Sequence, residues 1–240
     1  MVSPSDADGA QDVLSVEKNK AFFAENEAYA RNVTNLTTYR NIRRVIDEEI
    51  AGRERLLDIG NGGVFDYDTG LVPEIVGVDL FLDETDHRGL PSNVTLRRGD
   101  ALSLDDPDAS FDGVLFVLVL HHLVSTDVAG SVANIRQAVG EARRVLEPGG
   151  RLIIVESCVS PRAFAVERRL FSVLRALAST RFMRHPPTLQ LPPGVIESLL
   201  REHFADVHAK PIPIGRIVMQ FGRRWPTALT PARPYVFTAS

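Results

Sequence analysis

Two carboxylates and a pair of histidines are the residues in this 240-residue chain best placed to do chemistry. Asp58 lies in the apolar run Leu56-Leu57-Asp58-Ile59, which leads directly into Gly60-Asn61-Gly62-Gly63. Asp79 closes a second run, Val76-Gly77-Val78. It follows Asp58 by about 20 residues, the interval at which the carboxylate ending a second Rossmann strand meets ribose hydroxyls. Gly60 and Gly62 allow a sharp turn and a closer backbone approach to a ligand than any Cβ would permit. This pattern points to a nucleoside-bearing cofactor. His121 and His122 follow a third apolar run, Val114 to Leu120. Imidazole titrates near neutral pH and can take a proton from a hydroxyl or an amine, so these two are the candidate general bases. The alternative is that one caps the next helix while the other packs beneath the cofactor.

The details of the turn narrow the nucleoside. A dinucleotide fingerprint requires G-x-G-x-x-G, and Phe65 stands at its third glycine. A phosphate loop of the G-x-x-x-x-G-K-[ST] type is absent. An acid at the strand end, two glycines and a second acid downstream remain. This arrangement resembles the first two motifs of class I S-adenosylmethionine-dependent methyltransferases, D-x-G-x-G-x-G and its following acid, with Val64 at the third glycine and Gly63 one residue early. Three later segments strengthen the resemblance. Arg98-Gly99-Asp100-Ala101 follows a third strand at Val94 to Leu96, Ser110 to Leu123 resembles the fourth strand and its exit, and Glu141 to Glu156 resembles the family's helix, Pro-Gly-Gly turn and fifth strand. Together they span roughly residues 53–160.

The resemblance implies a Rossmann-like, doubly wound, mostly parallel seven-stranded sheet with helical lid segments, and S-adenosylmethionine as the cofactor. It implies that Asp58 and the backbone of Gly60, Asn61 and Gly62 meet the methionine portion. Asp79 would take the ribose diol, Leu80 would pack near the adenine, and Asp100 and Ala101 would meet the adenine edge. Phe116 completes the expected cofactor set. Some relatives build a metal site from E-x-x-E-H in the fourth-strand exit. Here Leu118, His121 and His122 leave both carboxylates out, so no metal is expected.

Elements must bring these residues together. Strands alternating with helices or loops from 55 to 156 argue a parallel sheet covered on both faces. A helix over about 127–146 carries Val132, Ile135, Val139, Ala142 and Val145 inward, and Pro148-Gly149-Gly150 ends it. Residues 16–50 read as helical, with a break at Asn35-Leu36-Thr37-Thr38 in which Thr37 or Thr38 caps the second helix. The segment 65–73, interrupted by Gly70 and Pro73, is a poor helix, so the first crossover is shortened or distorted. Asp66, Tyr67 and Asp68 there either replace part of its cofactor contacts or form a plain surface turn. A helix at Pro193–His203 and strands near 207–214 and 235–238 would finish the sheet, with Pro211 and Pro213 favouring an edge. Residues 215–233 give no clear element.

Domain organisation follows: an N-terminal tail and helical lid at 1–52, then the cofactor-binding domain at 53–240 with a lid inserted at about 160–190. Tyr29 and Tyr39 from the first lid, and Phe164 and Phe171 from the second, are the expected acceptor contacts. Core packing is the competing role for the inserted helix. Aromatic and apolar residues there, including Phe182 and Met183, suggest a partly apolar acceptor such as a polyketide, quinone or glycosylated natural product.

A net charge of −4 with only isolated arginine pairs argues against a nucleic-acid partner. The lone Cys158 excludes an intrachain disulfide. No apolar run approaches membrane-spanning length and the N-terminus lacks a signal-peptide core, so a cytoplasmic monomer or homodimer with no membrane partner is expected. The leading expectation is methyl transfer to a small molecule, with hydroxyl oxygen favoured over nitrogen or carbon because a histidine base would serve it. The second is a protein of this fold that binds the same cofactor and catalyses another reaction, such as a cyclisation.

Overall fold

Apolar residues on alternate sides of the central strands dictate a sheet buried on both faces, since successive strand side chains point in opposite directions. In β1 (Arg55–Ile59), Leu57 and Ile59 enter one core cluster and Leu56 the other. The same split recurs in β4 (Phe111–Val117), with Val114 against Leu115, and in β5 (Leu146–Cys158), with Leu152 and Ile154 against Ile153 and Val155. The computed structural model describes residues 36–82, 89–178, 180, 186–220 and 223–240.

Seven strands form the main sheet in the order β3-β2-β1-β4-β5-β9-β6, where β2 is Glu74–Asp79, β3 Val94–Arg98, β6 Val207–Pro211 and β9 Arg233–Ala239. The first five strands run parallel, and β9 lies antiparallel between β5 and β6. The doubly wound, mostly parallel sheet is thus as expected. Strand β6 is at an edge, where Pro211 removes no donor the sheet needs. The strand order reverses between the parallel neighbours β1 and β4, and the crevice at their carboxyl ends is the position where such sheets bind ligands.

Helices cover both faces. Helix α1 (Thr37–Ile50) buries Ile42, Ile46 and Ile50, spaced by four, against the second cluster. Each such burial is worth roughly 1.5–3 kcal/mol. In the packing, residues 37–50 therefore belong with the sheet; residues 1–35, including the expected helix from 16 and Tyr29, lie outside the described residues. Neither Thr37 nor Thr38 caps α1. Leu36 occupies that position without a side-chain bond, and the Thr38 hydroxyl accepts from Gly215 N at 3.0 Å instead. Asn41 Nδ2 donates to Pro213 O at 2.8 Å, so the first turns of α1 are tied to the loop leaving β6.

On the other face, α2 (Val128–Val145) is capped by Asp127, whose carboxylate accepts from Gly130 N. The helix gives way to β5 at Leu146, so Pro148-Gly149-Gly150 lies within the strand's entry instead of ending the helix. The pairing of β4 with β5 shifts register there, with Gly149 at φ +82°. Helix α3 (Pro161–Ala178) follows β5, and α4 (Pro193–Leu200) packs Ile196, Leu199 and Leu200 into the first cluster. The unassigned 215–233 region contains a hairpin of β7 (Ile217–Gln220) and β8 (Arg223–Pro226). No helix of the described residues is long and apolar enough to cross a membrane.

Candidate active site

At the carboxyl end of β1, Asp58 is 1% exposed. Its Oδ2 accepts from Tyr67 Oη at 2.9 Å and from Asn61 Nδ2 at 3.1 Å. Its Oδ1 is buried and has no hydrogen-bond partner among the described residues. Burial pushes the carboxyl up to about 7, against the lowering effect of those two bonds, and the nearby Asp79 charge adds to the rise. Burial likewise raises the Tyr67 phenol, beside the Asp58 charge, so it stays a donor.

The turn after β1 is fixed from both sides. Gly60 adopts φ +79°, and a Cβ there would lie 2.7 Å from both γ carbons of Val119, so no larger residue fits. Gly62 adopts φ +57°, and nothing lies within 4 Å of where its Cβ would project. Its N–H donates to Asp79 Oδ2 at 2.9 Å, while Phe81 N donates to Asp79 Oδ1 at 2.8 Å. Asn61 Oδ1 accepts from Gly63 N at 2.9 Å. The residues expected around the methionine and ribose portions are therefore one hydrogen-bonded unit. The first crossover is reduced to a single turn at Thr69–Leu71, as the broken periodicity predicted. Tyr67, brought down by this shortened segment, is 4% exposed and packs edge-on to Phe65.

Asp100 and Ala101 sit in the turn leaving β3. Asp100 Oδ1 accepts from Leu102 N at 2.9 Å, which closes the turn and leaves the residue half-buried. Leu80, half-buried, directly follows β2. Phe116 is fully buried in the first core cluster and presents no surface to a ligand, contrary to its expected role. Its position in the interior of β4, between Leu115 and Val117, explains this.

The second half of the site follows β4. The strand stops at Val117, short of the expected Leu120, because Leu118 turns into the left-handed region at φ 57°. Such a conformation costs a branched residue on the order of 1–3 kcal/mol and is found where a side chain must be aimed. A single helical turn, Leu120–His122, then presents both imidazoles, with ring centroids 4.2 Å apart. His121 Nδ1 lies 2.6 Å from Glu156 Oε1, and its backbone N–H donates to Glu156 Oε2 at 3.3 Å. Glu156, 2% exposed near the end of β5, also accepts from Ser157 N at 2.6 Å. A carboxylate facing Nδ1 fixes the proton there and leaves the lone pair on Nε2.

Glu167 of α3 completes this side. It is half-buried and accepts from Gln190 N at 3.2 Å. Burial raises its carboxyl, and the proximity of His121 partly offsets that rise. Gln190 Nε2 donates to Ser157 Oγ at 3.0 Å. Sequence reasoning missed Glu156 and Glu167 as site residues. Glu156 carried the same signal as Asp58 and Asp79, an acid near the carboxyl end of an apolar strand.

Among the expected acceptor contacts, Tyr39 is half-buried near the start of α1, and Phe164 is half-buried against the first cluster. Phe171 is 5% exposed within that cluster, so core packing is its role here. Phe182 and Met183 lie outside the described residues. The Cys158 thiol is buried and raised by that burial, which makes it inert.

Comparison with known proteins bears on what such a site is for. Residues 57–154 match the family profile described as "Methyltransferase domain". A protein named as a methyltransferase in Encephalitozoon cuniculi is 34% identical over 126 residues, covering 51% of this chain and 56% of that protein. The demethylmenaquinone methyltransferase of Thermus thermophilus is 29% identical over 142 residues, covering 54% and 60% respectively. The chain thus spans little more than half the length of these relatives. In fold, it is similar to the 1,6-didemethyltoxoflavin-N1-methyltransferase of Burkholderia thailandensis, solved with that substrate and S-adenosylhomocysteine bound. The TM-score is 0.60 at 19% identity, over 99% of this chain and 93% of that one.

Proposed function

We propose that this chain, whose residues 57–154 match the methyltransferase-domain profile, is a class I S-adenosylmethionine-dependent methyltransferase that methylates a small, partly apolar acceptor at a hydroxyl oxygen. The observation carrying this reading is the pair of buried carboxylates at one sheet edge, one with an oxygen left for a ligand and one committed to a histidine.

The residues present fit the cofactor. A buried carboxylate oxygen without a donor is costly, and the ammonium of an amino-acid ligand is the donor that Asp58 Oδ1 lacks. Space beside Gly62 and the carboxylate of Asp79 suit a nearby sugar, since a carboxylate accepts from hydroxyls. Asp58, Gly60, Asn61 and Gly62 would hold the amino-acid end. Asp79 and Leu80 would hold the nucleoside, with Asp100 and Ala101 at the base edge. When bound, S-adenosylmethionine supplies a methyl group already activated by its sulfonium.

The protein then has to align, dehydrate and move one proton. Holding the acceptor in line is worth ~7–11 kcal/mol of the barrier. His121 Nε2 takes the acceptor's proton, and Glu156 holds Nδ1–H and stabilises the resulting imidazolium. A hydroxyl must lose its proton to become a good nucleophile, which is why an oriented histidine favours oxygen. The partly apolar acceptor is supported by Phe164, and the name of the T. thermophilus relative makes quinol-like aromatics the first class to try. The chain's net charge of −4 weighs against nucleic acid.

The test is incubation with S-adenosylmethionine and a panel of phenols and quinols, read by mass spectrometry. A product one methylene heavier, with the methyl on oxygen, is expected. Cofactor binding without a methylated product from any acceptor would instead favour the cyclisation reading.

A further inference from the structure

Helix α3 carries an apolar stripe that the site does not use. Val166, Leu170, Val173, Leu174 and Leu177 are between 44% and 59% exposed. Their spacing places them in one sector about 100° wide, next to the inward face that holds Phe171 and Glu167. Arg162 and Arg169 border the sector on its far side, and Arg168 is exposed as well. The helix's one acid, Glu167, is half-buried and turned toward Gln190 and His121. The solvent face of α3 is therefore apolar and positive on a chain whose net charge is −4.

We propose that α3 is an interfacial helix that seats this protein on an anionic lipid surface. An amphipathic helix with a basic border lies in the plane of the headgroups, its apolar face in the acyl boundary and its arginines on the phosphates. Nothing in this requires a span, and no described helix is fit to make one. The proposal departs here from the expectation of no membrane partner.

Charge and area separate this occupant from a second copy. An antiparallel two-fold pairing of the stripe would set Arg169 of one copy beside Arg169 of the other, where like charges repel. Five half-exposed aliphatic side chains also fall short of the roughly 800 Å² per partner of a stable interface. An anionic bilayer matches the positive border and needs no such complementarity. One consequence rests on the proposed reaction: an acceptor dissolved in the bilayer would reach His121 along α3.

Vesicle co-sedimentation of the full chain tests the proposal. Vesicles containing phosphatidylglycerol should pull it down, and pure phosphatidylcholine much less. Arg162→Glu and Arg169→Glu should each weaken anionic-vesicle binding at least about fivefold, the worth of one arginine near a charged surface. Leu170→Asp with Leu174→Asp should abolish it, with S-adenosylhomocysteine binding and thermal stability unchanged. No association with anionic vesicles overturns the proposal. So does a concentration-dependent dimer in sedimentation velocity that Val173→Asp dissolves. A fall in melting temperature for Val173→Asp without vesicle binding also overturns it, since the stripe would then be packed against the chain itself. None of these results bears on methyl transfer, which is read separately from the labelled product.

Discussion

Asp58 and Glu156 are both strand-end carboxylates with almost no exposure, yet their surroundings differ. Glu156 has both oxygens engaged, by Ser157 N and by the ring and backbone of His121. Asp58 has one oxygen doubly bonded and the other empty, and burial holds its carboxyl near 7. A satisfied buried carboxylate fixes its neighbour, whereas an unsatisfied one stores a cost that a ligand can relieve. The pair thus divides the site into a half that positions a protein group and a half that waits for a cofactor.

Breaking the first half should have the largest effect. His121→Ala is expected to lower product formation by roughly 10²–10⁴-fold, the usual worth of a general base, while S-adenosylhomocysteine affinity stays unchanged. Equal loss of affinity would mean the imidazole belongs to the cofactor half. Glu156→Gln should cost less, about 10–100-fold in kcat with S-adenosylhomocysteine affinity unchanged, because the ring loses the carboxylate that orients Nδ1–H. An equal loss of affinity and thermal stability would reduce Glu156 to packing.

In the second half, Asp79→Ala should weaken S-adenosylhomocysteine binding by about 10–100-fold, as for lost hydrogen bonds to a charged group. Tyr67→Phe should be milder, a few-fold, and should leave 5′-methylthioadenosine binding unaffected. That ligand lacks the amino acid end, so an equal loss for both ligands would detach Tyr67 from the Asp58 oxygen.

Stability sharpens the contrast further. The Asp58 carboxyl is higher in the folded protein, about 7, than its ordinary 3.8. Its contribution to stability is thus complete below about pH 4 and is lost as pH rises through 7. Asp58→Asn removes the charge, and its carbonyl can still accept from Tyr67 and Asn61. The variant should therefore be more stable at pH 8, by at most about 2–4 kcal/mol, with the gain vanishing near pH 4. Thermal melts across that range check this, and a destabilised variant at pH 8 would contradict it.

The sheet was legible because β1, β2 and β4 alternate their burial between two cores and end in turn or acid signals. Asp58, Gly60 and Asp79 were legible because close backbone approach and a strand-end acid leave marks in one short stretch. Glu156 and Glu167 were not, since their significance depends on β5 lying beside β4 and on α3 folding back over that edge. Phe116 and Phe171 misled for the opposite reason. An aromatic residue near a site and one in the core beneath it look alike until burial is known. Thr38 failed as a cap because a partner 177 residues away, Gly215, took its hydroxyl.

The most direct test is calorimetric titration of S-adenosylhomocysteine into the unmodified chain and Asp58→Asn at pH 6 and pH 8. The unmodified chain should bind more tightly at pH 8, where Asp58 is ionised, and the variant should bind at least about tenfold more weakly with no such dependence. A variant that matches the parent in affinity and in pH response would contradict the account.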